Sequence, residues 1–145
     1  INRCLVGSEM CIRDRPWLTP IYDDPQFLIR MIWRRYGGWW DGEYDRLLPA
    51  PRKEEALAWV ELSNGIDNII LKALENLNKG NLKVAAQLIE TAFHADNDND
   101  QMHDARAKIY REFSLKQSSS MGRNILNHAS MASAQGKRDL AQTED

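Results

Sequence analysis

The side chains that could do chemistry in this chain are few and poorly grouped. Asp96-Asn97-Asp98-Asn99-Asp100 is the densest acidic run. Asp96, Asp98 and Asp100 could stand at positions one, three and five of a calcium-binding helix-loop-helix. Position six of such a loop needs glycine and is Gln101; position twelve needs glutamate and is Ala107. With both failing, the run reads as a solvated connection whose Asp and Asn side chains cap helix ends. The three histidines are His94, His103 and His128. His94 and His103 flank the acidic run, but no HxH or HxxxH spacing is present, so they read as polar helix-end residues and not as metal ligands. No nucleophile elbow, phosphate loop or dinucleotide fingerprint appears. The chain therefore shows no catalytic residue and no cofactor site of its own.

The elements that would position any site are helical. Asp24-Pro25 is a helix start, with a capping carboxylate and proline at the first helical position. Phe27, Leu28, Met31 and Ile32 follow at helical spacing, and Gly37-Gly38 ends the run. A second helix begins near Arg52. Its expected buried side is Ala56, Leu57, Val60 and Trp59, with Glu54, Glu55 and Glu61 outward. Ile66, Ile69, Ile70, Ala73, Leu74 and Leu77 make the clearest amphipathic face. After Lys79-Gly80 a fourth helix carries Leu82, Ala85, Leu88, Ile89, Ala92 and Phe93. So short a turn makes the third and fourth helices antiparallel neighbours. A fifth helix presents Met102, Ala105, Ile109 and Phe113. A sixth, capped by Ser118-Ser119-Ser120, presents Met121, Ile125, Ala129 and Ala132. The predicted fold is all-α: about six helices in antiparallel hairpins, with a tetratricopeptide-like pair over 66–95. Gly80, Leu82, Ala85 and Ala92 carry that local likeness. The proline expected near Asn97 is missing, and one unit is fewer than a solenoid needs.

Between the first two helices stands Tyr36-Gly37-Gly38-Trp39-Trp40-Asp41-Gly42. Glycines and an Asp-Gly turn bend the chain on both sides of two adjacent tryptophans. The cluster is either a buried corner between helices or a lining for an apolar ligand or partner. Leu47-Leu48-Pro49-Ala50-Pro51 then forms a stiff apolar strap of the kind that lies across a neighbour.

Cys4 through Arg15 resembles the translated end of a sequencing-library adaptor. Residues 1–15 are therefore set apart as an unstructured artefact, with the natural sequence entering near Pro16. A start at Ile1 agrees with that. Pro16 and Pro20 make the following stretch an extended connector. Both cysteines, Cys4 and Cys11, fall in the set-apart segment, so no disulfide or thiolate chemistry is expected. Of 19 basic and 21 acidic side chains, removing Arg3, Arg13, Arg15, Glu9 and Asp14 leaves 16 and 19. That weakly acidic balance argues against a nucleic-acid partner. No apolar run is long enough for a membrane span. Residues 135–145 are polar and aperiodic and are expected to be a disordered tail.

Pro20-Ile-Tyr-Asp-Asp-Pro-Gln-Phe27 followed by Ile32-Trp-Arg-Arg-Tyr-Gly-Gly-Trp-Trp-Asp-Gly42 resembles the start of the dimerisation domain of alkyl sulfatases, members of the metallo-β-lactamase superfamily. Leu62-Ser-Asn-Gly-Ile66, Gly80-Asn-Leu-Lys-Val-Ala-Ala86 and Arg123-Asn124 fit the same domain. The resemblance implies a helical homodimerisation domain over 16–134. It implies a parent enzyme that hydrolyses alkyl sulfate esters, with two zinc ions in a preceding catalytic domain and a sterol-carrier-like domain after this one. It places Tyr36, Trp39 and Trp40 at the parent's substrate cleft. It is compatible with a periplasmic or secreted protein, though the chain does not reveal its compartment. The alternative is a free-standing tetratricopeptide-like module that binds a peptide.

Overall fold

The computed structural model describes residues 21–136. The adaptor-like segment 1–15, both cysteines, the connector up to Pro20 and the tail beyond Gly136 lie outside the described residues. Among the described residues the chain is all-helical: α1 Pro25–Gly37, a 3₁₀ turn Tyr44–Arg46, α2 Arg52–Leu62, α3 Ile66–Asn78, α4 Leu82–Ala95, α5 Asp100–Leu115 and α6 Ser120–Ala134.

The helix boundaries follow local chemistry. Asp24 caps α1 by accepting from the Gln26 N–H at 2.8 Å, with Pro25 at the first position. Asn99 caps α5 through the Met102 N–H at 2.9 Å, and Ser119 caps α6 through the Gly122 N–H at 3.1 Å. The acidic run thus does what its composition suggested: Asp96 and Asn99 satisfy loop and helix-start N–H groups. Gly80 ends α3 at φ +78°, where the Gly80 and Asn81 N–H groups close on the Leu77 and Asn76 carbonyls. That turn folds α4 back on α3.

The core lies where α3, α4 and α5 meet. Ile69, Ile70, Ala73, Ala85, Ile89, Ala92, Phe93, Met102 and Ile109 are buried there, as the spacing predicted. Ala73, Ala85 and Ala92 are wholly covered, so backbones approach closely where the side chains are short. Two faces differ from expectation. On α2 only Ala56 is buried; Val60 packs partly on the core, and Leu57 and Trp59 are exposed. On α6 the buried residues are Gly122, Ser130, Ala132 and Ser133, while Ile125 is 61% exposed. The face is turned because α6 packs on α5 through its small side chains. Ser130 Oγ donates to the Ala107 carbonyl at 2.8 Å, which removes the cost of burying a hydroxyl.

The core assignment and the turned α6 face make opposite expectations for two isoleucines. Ile89→Ala should cost about 2–5 kcal/mol in urea unfolding, as for a fully buried aliphatic side chain. Ile125→Ala should stay within about 0.5 kcal/mol. Equal losses would contradict the observed orientation of α6.

Candidate functional site

The first third of the described chain forms an arm that is attached at defined points and otherwise uncovered. The Ser120 N–H donates to the Ile21 carbonyl at 2.7 Å, and the Met121 N–H donates to the Tyr22 carbonyl at 3.0 Å. These two carbonyls satisfy orphan donors at the start of α6. Gly122 lies beside the Phe27 ring: a Cβ there would make an ordinary 3.7 Å contact with the ring but would stand only 2.9 Å from the capping Ser119 Oγ. Beyond this anchor α1 buries no residue at all. Fifteen of the twenty large hydrophobic residues exposed among the described residues fall between Ile21 and Leu62. The apolar surface is thus concentrated on the arm and on α2, and the α3–α6 body has little of it.

The aromatic turn after α1 is held by polar contacts. Gly38 and Gly42 take φ +87° and +93°, backbone angles that L side chains rarely adopt. Trp40 Nε1 donates to the Glu43 carbonyl at 3.1 Å, and its ring lies 6.0 Å from that of Tyr44. Asp41 accepts from the Glu43 N–H and pairs with Arg46. The Glu43 N–H, followed by Arg46, holds the Asp41 carboxyl below its ordinary range. The expectation of a buried corner fails. Trp39 is 69% exposed, Trp40 41% and Tyr36 81%. The strap behaves the same way: Leu48 is 89% exposed and crosses no neighbour among the described residues. Tyr36 stands in the last turn of α1 and Trp39 and Trp40 follow in the bend after it; all three are exposed, and Trp40 is held by its contacts with Glu43 and Tyr44.

The polar centre of the body was not visible in the sequence. Arg106, 2% exposed, donates from Nε to Glu90 Oε1 at 2.7 Å and from Nη1 to Ser133 Oγ at 2.8 Å and the Ala129 carbonyl at 3.2 Å. Its guanidinium lies 4.4 Å from the Phe93 ring centroid and 5.0 Å from that of Tyr110. One side chain therefore joins α4, α5 and α6. His103 is buried beside Phe93 and meets the Asn97 carbonyl at 2.8 Å through Nε2. A carbonyl can only accept, so Nε2 carries the proton, and the buried Nδ1 has no hydrogen-bond partner among the described residues. His94 lies between α2 and α4 in a cavity of about 520 Å³ lined also by Arg52, Glu55, Trp59, Glu90 and Tyr110. Burial lowers its pKa, helped by Arg52 and Arg106 and opposed by Glu90. His94 and His103 both touch Phe93 and do not converge on one point. Among the described residues no group of three His, Cys, Asp or Glu side chains could hold a metal ion, and no helix is long and apolar enough to cross a membrane.

A compact helical body carrying a fixed but uncovered apolar arm defines an association module. The family can be stated directly: the chain belongs to the alkyl sulfatase dimerisation family, whose profile matches residues 11–136. It is 30% identical over 96 residues to a linear primary-alkylsulfatase of a Pseudomonas species, covering 66% of this chain and 18% of that protein. It is 25% identical over 108 residues to an alkyl/aryl-sulfatase of Saccharomyces cerevisiae, covering 74% and 17%. The solved structure of a double mutant of the sec-alkyl sulfatase PisA1 superposes with a TM-score of 0.70 at 25% identity, over 74% of this chain and 17% of that one. The chain thus spans less than a fifth of the length of these relatives. The match decides between the two classes that the sequence left open, in favour of the alkyl sulfatase module.

Two measurements probe the polar centre. Arg106→Ala should cost about 3–5 kcal/mol in urea unfolding, because it leaves Glu90 unpaired beside the core; a loss below 1 kcal/mol would contradict its joining role. His94 is held below the ordinary imidazole value, so the unfolded chain takes up the proton first. Stability should be full above about pH 6.5 and fall as the pH drops through and below that value. His94→Gln should flatten this part of a melting-temperature series, and an unchanged slope would contradict the assignment.

Proposed function

We propose that this chain is the self-association module of a zinc-dependent alkyl sulfate ester hydrolase, and that it pairs two copies through the arm. The observation that carries the reading is the concentration of uncovered apolar side chains between Ile21 and Leu62, where fifteen of the twenty exposed among the described residues fall. Burying one large apolar side chain contributes about 1.5–3 kcal/mol. Leu28, Met31, Ile32, Trp33, Leu47 and Leu48 from two copies are together enough to offset the roughly 4–15 kcal/mol of freedom lost on association.

The reaction proposed for the whole protein is cleavage of an alkyl sulfate to an alcohol and sulfate, in keeping with the names of its relatives. Two zinc ions would act there as Lewis acids and lower the pKa of the attacking water. Their ligands would lie in a catalytic domain outside this chain, since the described residues offer no fitting donor set. No step is assigned to this chain. A sterol-carrier-like domain is the other proposed neighbour in the parent protein. Tyr36, Trp39 and Trp40 are proposed to flank the cleft that takes the alkyl chain. They are aromatic and exposed, and Trp40 and its turn are held by the Glu43 and Asp41 contacts.

Light scattering on the 145-residue chain tests the pairing. The expected mass is twice the 16.7 kDa of one copy, falling to one copy in Met31→Asp/Trp33→Asp with unchanged helicity. A well-folded single copy at high concentration would contradict it. For the cleft, Trp39→Ala/Trp40→Ala in the whole enzyme should raise KM more for long than for short alkyl sulfates. Unchanged kinetics in an intact dimer would remove these residues from the cleft.

A further inference from the structure

The cavity of about 520 Å³ between α2 and α4 has the size and mixed lining of a small-molecule site. Two short buried side chains, Ala56 and Ala86, line it from those two helices. The rings of Trp59 and Tyr110 add apolar wall from α2 and α5. Its charged lining is Arg46, Arg52, Glu55 and Glu90. Two of these charges are balanced inside the protein, Arg46 by Asp41 and Glu90 by Arg106.

Arg52 and Glu55 are the other two. They stand three residues apart on α2, a spacing at which helical side chains are neighbours, yet they form no ion pair among the described residues. His94 lines the same space, and Arg52 and Glu55 both lie close enough to act on its charge. Its imidazole makes no hydrogen bond among the described residues, and burial holds it neutral near pH 7. The unbalanced charge at the cavity is therefore one cation and one anion. A simple anion would meet the Glu55 and Glu90 carboxylates; a simple cation would meet the Arg46 and Arg52 guanidiniums. A ligand that carries one charge of each sign satisfies both sides, and an aromatic group on it suits the two rings. A peptide end carries only one of the two charges, so a free amino acid is the class that fits.

We propose that this cavity binds an α-amino acid with an aromatic side chain, its carboxylate facing Arg52, its ammonium facing Glu55 and its ring against Trp59 and Tyr110. Neutral His94 offers it a donor at one ring nitrogen and an acceptor at the other. Because α2 buries only Ala56, a ligand that joins α2 to α4 and α5 strengthens the seat of α2 on the body.

Isothermal titration calorimetry on the 145-residue chain tests the site with L-phenylalanine, 3-phenylpropionate and phenethylamine. The last two each lack one of the two charges. L-Phenylalanine should saturate one site per copy and raise the melting temperature. Each single-charge analogue should bind at least about tenfold more weakly, because one side chain of the cavity is then left without its partner. Arg52→Ala and Glu55→Ala, both at exposed positions and checked for helicity by circular dichroism, should weaken L-phenylalanine by a similar factor. Lys53→Ala, on the same helix but outside the cavity lining, should leave binding unchanged. A chain that shows no saturable binding of L-phenylalanine would overturn the proposal. So would equal binding of the three compounds, undiminished binding in Arg52→Ala and Glu55→Ala, or an equal loss in Lys53→Ala.

Discussion

A buried guanidinium fixes the arrangement of the body. Arg106 reaches a carboxylate on α4 and a hydroxyl and a carbonyl on α6, and its flat face rests against Phe93 and Tyr110. An unpaired charge at 2% exposure would cost several kcal/mol, so α4, α5 and α6 are held to the one arrangement that satisfies it. The small inward face of α6, Gly122, Ser130, Ala132 and Ser133, suits that closeness. The same arrangement places the α6 N-terminus, which receives the Ile21 and Tyr22 carbonyls and thereby fixes where the arm departs. A charge in the core and an apolar arm at the surface are linked through one helix.

Much of the helical frame was legible in the residues. Asp24-Pro25, Asn99, Ser119 and Gly80 mark boundaries by capping and turn chemistry that acts over three or four residues, and each boundary falls where that chemistry puts it. The face of α3 from Ile66 to Leu77 is strongly amphipathic and was read correctly. The face of α6 was not. There Ala132 is inward as expected, but its inward neighbours are Gly122, Ser130 and Ser133, and a rule that sends the most apolar side chain inward selects Ile125 in error. Arg106 was hidden for a similar reason: one arginine on an amphipathic helix reads as a solvated border until its partners on two other helices are seen.

The aromatic turn shows a different limit. Its bends and its cluster of Tyr36, Trp39 and Trp40 were plain from glycine placement and residue type. Apolar periodicity states which side chains must leave water, and says nothing about what covers them. Leu57 and Trp59 were assigned to the chain's own interior and are instead on its outside, and of the two readings left open for Trp39 and Trp40 the buried corner is the one that fails. The family match resolves the conflict, because a dimerisation domain keeps part of its covering surface on another molecule.

The central claim is that the α3–α6 body is self-sufficient while the arm gains its cover from a second copy. Amide hydrogen exchange followed across a dilution series measures both parts at once. The account expects core amides of α3, α4 and α5 to stay protected at every concentration, and those of α1 to be protected when the chain is concentrated and to exchange freely when it is dilute. Protection of α1 that does not change on dilution would contradict it.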